Sequence, residues 1–347
     1  MNPAYDQILA ADAATRAGLF TATAQRLGTT PQNAEKDFWV CWVLDALFNG
    51  RADGPRLLFK GGTSLSKAFG LISRFSEDID VTVFRDDLGQ ACSVADLAAL
   101  SGKKREAALD AIKAACAAYV TGPLLTELSA IAARASERNG LRPGALTIVP
   151  HPQDEQTLLV RYPTATPADG YVEQQVKIES GAKSALDPHS VRTIRPYVEA
   201  DAPGLDLAVA NVTVVDAERT FWDKVVILHG QRQWFIERGE LQGGGNRVSR
   251  HYYDVHRLMT SDPGKRALAD PALGADCVAH ARMFFDRKPY HLAKARPPTF
   301  TLVPEDEMYA VLRRDYAAMS AMIFGAAPPF DAVIESVAAL EAIVNRV

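Results

Sequence analysis

The sequence predicts an α+β protein with a mixed-sheet core, flanking helices and a C-terminal helical bundle. Three observations predict this class. Residues 30–50 have the apolar surface and end signals of a helix. β-rich stretches then dominate from Leu146 to residue 215, and the chain becomes helical again from Asp216. Strands and helices that are segregated along the chain favour α+β over a doubly wound sheet.

Length and composition suit a soluble globular protein. The 347 residues, 48% hydrophobic and 23% charged, allow two domains, which we place at residues 1–215 and 216–347. Apolar runs shorter than about 18–20 residues predict no membrane span. The N-terminus lacks the pattern of a secretory signal, and four scattered cysteines predict neither a zinc site nor a disulfide framework. We therefore expect a cytoplasmic protein.

The first helix and the segment after it carry clear local signals. Thr30 is a predicted N-cap, Pro31 the first helical residue, and Asn49-Gly50 the end. "RLLF" then predicts a buried strand, followed by a turn at residues 60–63 and a short helix capped by Thr63 or Ser64. "DIDVTVF" alternates strictly, which predicts a strand with Asp78, Asp80 and Thr82 on one face.

The remaining elements follow from composition and periodicity. Residues 96–139 are alanine-rich and predict helix, with a break at Gly122-Pro123. "LTIV", "TLLVRYP", "YVEQQVKIES" and "VTVV" predict four strands. The predicted C-terminal helices cover residues 216–238, 249–259, 275–285, 305–323 and 331–347, with a mobile loop at Gly243–Gly245.

Asp78 and Asp80 are the first candidate functional residues. Side chains two apart on a strand share a face, with Cα atoms about 6.6–6.8 Å apart. Carboxylates that close repel, unless one takes up a proton or a cation lies between them. Mg²⁺ (or Mn²⁺) suits one or two carboxylates plus substrate phosphates. Gly61 and Gly62 allow close approach of the backbone to a ligand, and the next helix offers N–H groups to phosphate. The alternative is a solvated strand face with no bound metal.

The motifs also resemble a known family. Gly61-Gly62-Thr63-Ser64, followed by Asp78-Ile79-Asp80-Val81, resembles the signature of DNA polymerase β-like nucleotidyltransferases. The longer stretch "FKGGTSLSKAFGLISRFSEDIDVTV" is similar to the AbiEii/AbiGii-type nucleotidyltransferase toxins of type IV toxin–antitoxin and phage-defence systems. "DAERTFWDKVVILH" and "RHYYDVHRL" resemble the third and fourth motifs of that family.

The resemblance implies further site residues. Glu179 would be a third metal ligand or a base, although the family pattern has aspartate there; the alternative is a salt-bridged strand face shared with Lys177. Lys224 would reach the triphosphate, or be a surface lysine beside Asp223. Asp254 matches the fourth-motif acid, or pairs with Arg250 or Arg257. The predicted nucleotide-binding residues are Lys60, Gly61, Gly62, Thr63, Ser64, Lys67, Arg74, Ser76, Lys177 and Lys224.

Arg74 has two interpretations, because it precedes the acidic strand directly. It either binds phosphate or forms an ion pair with Glu77 or Asp78. The resemblance further implies an NTP substrate, an RNA acceptor such as tRNA, and a cognate antitoxin encoded nearby. Two alternatives remain. The enzyme transfers the nucleotide to a small molecule or a protein hydroxyl, or the protein binds nucleotide without catalysis.

The formal net charge of −4 bears on an RNA acceptor, since proteins that hold nucleic acid by overall charge are usually basic. Contact must therefore come from a local cluster. The segment "HARMFFDRKPYHLAKAR", residues 280–296, interleaves five cations with Phe284, Phe285 and Tyr290. We predict that its cations contact RNA; its phenylalanines either stack on bases or belong to the core.

Overall fold

A computed structural model describes residues 1–167, 173–245 and 247–346. Seven strands form one mixed sheet in the order β3-β4-β5-β2-β1-β7-β6. Their bounds are Leu57–Lys60 (β1), Asp78–Val83 (β2), Thr147–His151 (β3), Asp154–Arg161 (β4), Gln175–Gly181 (β5), His189–Ile194 (β6) and Val209–Val215 (β7). The sheet and the helices around it confirm the α+β prediction.

Thirteen α-helices lie within the described residues. Their bounds are Ala4–Leu9 (α1), Ala13–Leu27 (α2), Pro31–Asp45 (α3), Gly61–Lys67 (α4), Val94–Ala99 (α5), Gly102–Tyr119 (α6), Leu125–Arg138 (α7), Ala217–Arg238 (α8), Ser249–Met259 (α9), Asp262–Leu268 (α10), Pro271–Phe284 (α11), Asp306–Met319 (α12) and Phe330–Val344 (α13). Those from α8 onward include the five that the sequence predicted.

The chain divides into two compact units. The first contains Met1–Ala68, Phe75–Cys92 and Ser101–Val215, and therefore the whole sheet. The second contains Asp216–Val347 together with Phe69–Arg74 and Ser93–Leu100. The division predicted from sequence, 1–215 and 216–347, assigned both of these short segments to the first domain.

In the first unit, one face of the sheet is the hydrophobic core. Ile79, Val81 and Val83 on β2 are fully buried, as are Val176 and Ile178 on β5. α3 packs against this sheet, and the Trp39 ring stacks on Tyr162 with centroids 5.1 Å apart. The period-2 alternation therefore places Asp78, Asp80 and Glu179 on the opposite face.

Local signals explain several element ends. The Thr30 hydroxyl accepts a hydrogen bond from the Asn33 N–H at 3.2 Å, which confirms the predicted N-cap of α3. α3 continues as a π-helical turn to Gly50, the predicted end. β5 begins at Gln175; of the predicted strand 171–180, Tyr171 and Val172 lie outside the described residues, as does Val347 of the last predicted helix.

The predicted break at Gly122-Pro123 is wrong. Pro123 lies inside a π-helical turn, Val120–Leu124, and the helix continues directly into α7. A wider turn accommodates a residue that has no N–H to donate. At Gly243–Gly245, where we predicted a mobile loop, the backbone forms a 3₁₀ turn from Gln242 to Gly245.

The continuous helical stretch bears on the membrane prediction. Among the described residues, Gly102–Arg138 is long and apolar enough to cross a membrane, whereas the short apolar runs of the sequence predicted no such segment. Core helices of soluble proteins share this length and composition. In α7, Leu128, Ile131 and Ala132 are buried, which is the pattern of a helix packed on one side.

Candidate active site

Strand register brings the acidic residues together. Asp80 lies opposite Lys60 on antiparallel β1 and opposite Glu179 on parallel β5. Asp78 lies opposite Lys177. Directly opposed residues on adjacent strands point to the same side of the sheet, with strands about 4.8 Å apart. The two aspartates and Glu179 therefore share one face, although about 100 residues separate them along the chain.

The backbone of Gly61 lies directly against the Asp80 carboxylate. Its φ is +81°, a backbone conformation that other residues adopt only under strain. A Cβ at this position would lie 2.2 Å from Oδ2 of Asp80 and 2.9 Å from its Cγ. Both observations require glycine, because the backbone at the start of α4 is pressed against the Asp80 carboxylate.

The start of α4 differs from the prediction. The helix begins at Gly61, its N-cap is Lys60, and no side chain caps it, so capping by Thr63 or Ser64 is wrong. Thr63 and Ser64 are buried inside the helix. The Thr63 hydroxyl donates to the backbone carbonyl of Asp78 at 2.5 Å and lies 2.8 Å from Oγ of Ser76. These hydroxyls therefore join α4 to the start of β2.

The Ser64 hydroxyl also stabilises the backbone at the start of α4. Its hydroxyl donates to the carbonyl oxygen of Gly61 at 2.8 Å. The side chain is fully buried, so Ser64 supports the backbone that faces Asp80. Gly62, the second predicted glycine, is the second residue of α4 and is partly buried.

The surroundings of Asp78 favour its protonated form. Burial, together with the neighbouring carboxylates of Glu77 and Glu179, raises the pKa of Asp78 to about 6. Lys36 and Lys177 act in the opposite direction. A nearby cation would stabilise the ionised form of a carboxylate whose surroundings disfavour its charge.

Lys36 is a residue that sequence reasoning missed. It lies on α3 with a side chain only 2% exposed, and its ammonium is 2.7 Å from Oε2 of Glu77. It also donates to the backbone carbonyl of Glu173 at 2.9 Å. A lysine inside a broadly apolar helix was the available signal, because such a charge requires a buried partner.

Glu179 and Lys177 form an ion pair with each other on β5. Both side chains remain about one-third exposed or more. In the described part of the chain there is no group of three or more His, Cys, Asp or Glu side chains that could hold a metal. Asp78, Asp80 and Glu179 thus share one face of the sheet, and the Glu179 carboxylate is paired with Lys177 in this structure.

Lys67 lies in a different environment from the one we predicted. Its ammonium is 2.7 Å from Oδ1 of Asp37 and 3.6 Å from the centre of the Tyr197 ring, and its side chain is 3% exposed. The Lys67 ammonium is therefore already bound by a buried carboxylate and an aromatic ring. We therefore remove Lys67 from the nucleotide-binding set.

In the second unit, Asp254 binds two cations. Arg74 contacts both carboxylate oxygens at 2.8 Å through Nε and Nη2, and Nζ of Lys224 lies 2.8 Å from Oδ2. All three side chains are buried. The two cations hold the pKa of Asp254 far below its usual value despite burial, and burial lowers the pKa of Lys224.

These contacts replace the simple pairings considered from sequence. Asp254 pairs with neither Arg250 nor Arg257, and Lys224 is not a surface lysine beside Asp223. Arg74 binds Asp254 with both of its carboxylate oxygens. Arg74, Lys224 and Asp254 all belong to the second unit, whereas Asp78, Asp80 and Glu179 belong to the first.

Comparison with known proteins assigns the family. A search of solved structures finds MenT4, a nucleotidyltransferase toxin from Mycobacterium tuberculosis H37Rv, with 16% identity, a TM-score of 0.36, and coverage of 94% of this chain and 99% of that chain. A search of curated proteins finds no match. The family model "Nucleotidyl transferase AbiEii toxin, Type IV TA system" matches residues 42–336. The chain therefore belongs to the AbiEii family of nucleotidyltransferase toxins.

Proposed function

We propose that this nucleotidyltransferase uses Mg²⁺ (or Mn²⁺) and transfers a nucleotide from an NTP to a hydroxyl of RNA, with tRNA as the first candidate acceptor, and thereby inhibits growth. The observation that carries this proposal is the acidic face formed by Asp78, Asp80 and Glu179, against which Gly61 is pressed. Membership in a type IV toxin–antitoxin family also implies a cognate antitoxin.

The residues present fit a divalent cation that arrives with the substrate. Asp78 and Asp80 supply two carboxylates on one face, and Mg²⁺ completes its coordination with water and substrate phosphates. Asp78 carries a raised pKa, as expected of a carboxylate whose charge a cation would balance. When bound, the cation would neutralise charge on the phosphates. Glu179 would join as a third carboxylate once it separates from Lys177.

The chain's own residues then position the reactants. The N–H groups at the start of α4 face the phosphates, and Lys60 and Lys177 offer positive charge beside Asp80 and Asp78. The acceptor oxygen attacks the α-phosphorus, its proton passes to Glu179, and the bond to the β-phosphate breaks with release of pyrophosphate. Positioning and charge neutralisation supply most of the catalysis in such chemistry.

The second unit contributes Lys224, whose place on α8 matches the motif lysine. Its ammonium is held by Asp254 together with Arg74, so the Arg74–Asp254–Lys224 cluster is a positioning network in our proposal. Because Lys224 is buried in an ion pair, as Lys67 is, we propose that it supports NTP use through this network and not by direct contact with the triphosphate.

The test is label transfer. The purified protein is incubated with each α-labelled NTP, Mg²⁺ and total cellular RNA, and the products are separated on a sizing gel. We expect one RNA size class to become labelled, and Asp78→Asn and Asp80→Asn each to abolish labelling. Asp110→Asn, which removes one charge from an exposed position on α6, is the matched control and should label normally.

Other outcomes separate the alternatives. If the label appears on a protein or a small molecule instead of RNA, the protein is still a nucleotidyltransferase, but its acceptor is not RNA. Absence of Mg²⁺-dependent label transfer to any acceptor would contradict the catalytic proposal and favour a silent nucleotide-binding protein. Normal transfer by both aspartate variants would contradict the assignment of the site.

A further inference from the structure

We propose that an exposed surface of the second unit binds the phosphate backbone of RNA and stacks one unpaired base. This surface, the basic surface, consists of Arg282, Phe285, Arg287, Lys288, Lys294 and Arg296. The inference that this surface binds the acceptor rests on the proposed function above. It deepens that proposal, because it assigns the acceptor a place on the chain.

Charge and exposure support the basic surface. All five of its cations are exposed, while the same stretch contains a single acid, Asp286. Within the part of the chain that the structure describes, none of the five forms an ion pair. The whole chain carries a net charge of −4, whereas this stretch contains five cations and one acid. Cations that are not neutralised by neighbouring acids are available to phosphates.

The backbone beneath these cations is held in place by packed residues. Phe284 is buried and stacks on His280 with ring centroids 4.4 Å apart. Tyr290 lies 5.8 Å from the Trp234 ring of α8, and its hydroxyl donates to the Gln242 side chain. Leu292 is buried as well. The segment therefore presents its charges from a fixed scaffold, which lowers the entropy cost of binding.

The aromatic residues divide into core and surface. The sequence offered Phe284, Phe285 and Tyr290 as candidates for base stacking. Phe284 belongs to the core and Tyr290 packs against α8, which leaves Phe285, whose exposed fraction is 47%. It follows α11 directly in the chain, between Arg282 and Arg287. An exposed ring flanked by cations is the combination that binds unpaired nucleotides, whereas a duplex alone would use only the charges.

The test measures RNA binding by the full-length protein across a salt series. A fluorescent, unfractionated tRNA pool is titrated at roughly 50 to 200 mM salt, with a DNA duplex of similar length for comparison. The triple variant Arg287→Ala, Lys288→Ala, Lys294→Ala removes three phosphate contacts. We expect about a hundredfold weaker binding near 0.1 M salt and a salt slope that is shallower by about 2, at roughly 0.7 per phosphate.

Phe285→Ala tests the stacking contribution separately. We expect roughly tenfold weaker binding to tRNA with an unchanged salt slope, since stacking releases no counterions, and little effect on the duplex. The control Lys103→Ala, Lys104→Ala, Lys113→Ala removes three exposed cations from α6 in the first unit. This control should retain the parent affinity. Circular dichroism of each variant verifies that the fold is intact.

The outcomes distinguish this inference from the proposed function. If the triple variant binds tRNA as the parent does, or if the α6 control loses as much affinity, the basic surface is not the RNA site, whether or not RNA is labelled. If the triple variant loses binding while no RNA is ever labelled, the surface binds RNA but the proposed acceptor is wrong. Loss of binding to an acidic protein, with tRNA affinity unchanged, would also overturn the inference.

Discussion

Replacing Gly61 with alanine gives the sharpest test of the acidic face. The new Cβ would lie 2.2 Å from Oδ2 of Asp80, whereas ordinary contacts begin near 3.4 Å. The carboxylate must therefore move by about 1 Å or rotate to another rotamer. A displacement of about 1 Å at a reacting group costs roughly a hundredfold in rate. We expect transfer by Gly61→Ala to fall by about that factor.

The cost in stability is smaller than the cost in rate. A left-handed φ of +81° costs a non-glycine residue about 1–2 kcal/mol. Displacing Asp80 from its rotamer adds about 0.5–1.5 kcal/mol. Because the clashing atoms belong to a side chain rather than to the backbone, the fold accommodates the change. We expect urea denaturation of Gly61→Ala to show a free energy of unfolding that is lower by roughly 1.5–3.5 kcal/mol, and the protein to remain folded at room temperature.

Gly89 supplies the matched control. Its φ is +69°, it is exposed in the same unit, and no atom lies within 4 Å of an added Cβ. Gly89→Ala should lose only the conformational part, about 1–2 kcal/mol, and should transfer nucleotide at the parent rate. Equal activity of Gly61→Ala and Gly89→Ala would refute the view that the backbone at Gly61 sets the position of Asp80.

Three further predictions concern buried charges. The pKa of Asp78 is about 6 in the folded protein and near 4 in the unfolded chain, so the free energy of unfolding falls as pH rises from 4 to 6. In urea denaturation, Asp78→Asn should therefore have a free energy of unfolding up to about 3 kcal/mol higher than the parent at pH 7.5, and the same as the parent at pH 4. Asp254→Asn removes the buried carboxylate that Arg74 and Lys224 share, and it should lower the free energy of unfolding by about 3–5 kcal/mol in the same measurement. Lys224→Ala should raise KM for NTP, and Lys224→Arg should restore it poorly, because a planar guanidinium does not fit the space of an ammonium; a normal KM in Lys224→Ala would contradict a role in NTP use.

The parts of the structure that sequence predicted are those with strong local signals. β2 follows from strict alternation of apolar and polar residues, and α3 from Thr30 and Pro31. β6 went undetected because it is an edge strand in which only Ile194 is fully buried, so its sequence lacks an apolar face. α10 is only seven residues long, too short for helical periodicity to show.

The sequence predicted the site residues that lie together on one strand. It did not predict the ion pairs that form between residues far apart in the chain. Asp78 and Asp80 share a face by alternation alone. Lys36 and Lys67 are both lysines on helices, and nothing local indicates that they pair with Glu77 and Asp37. Tertiary contacts between distant segments set those partners.

Arg74 shows how chain connectivity links the motifs. The chain leaves the first unit after Ala68, at the end of the glycine helix, and returns to it at Phe75, just before Asp78. The intervening segment belongs to the second unit, where Arg74 binds Asp254 and its backbone bridges to Ile323. Because Asp254 also binds Lys224, the residues of the third and fourth motifs anchor the very segment that joins the two halves of the first. The spacing between Gly61 and Asp78 therefore includes a segment that residues of α8 and α9 hold within the second unit.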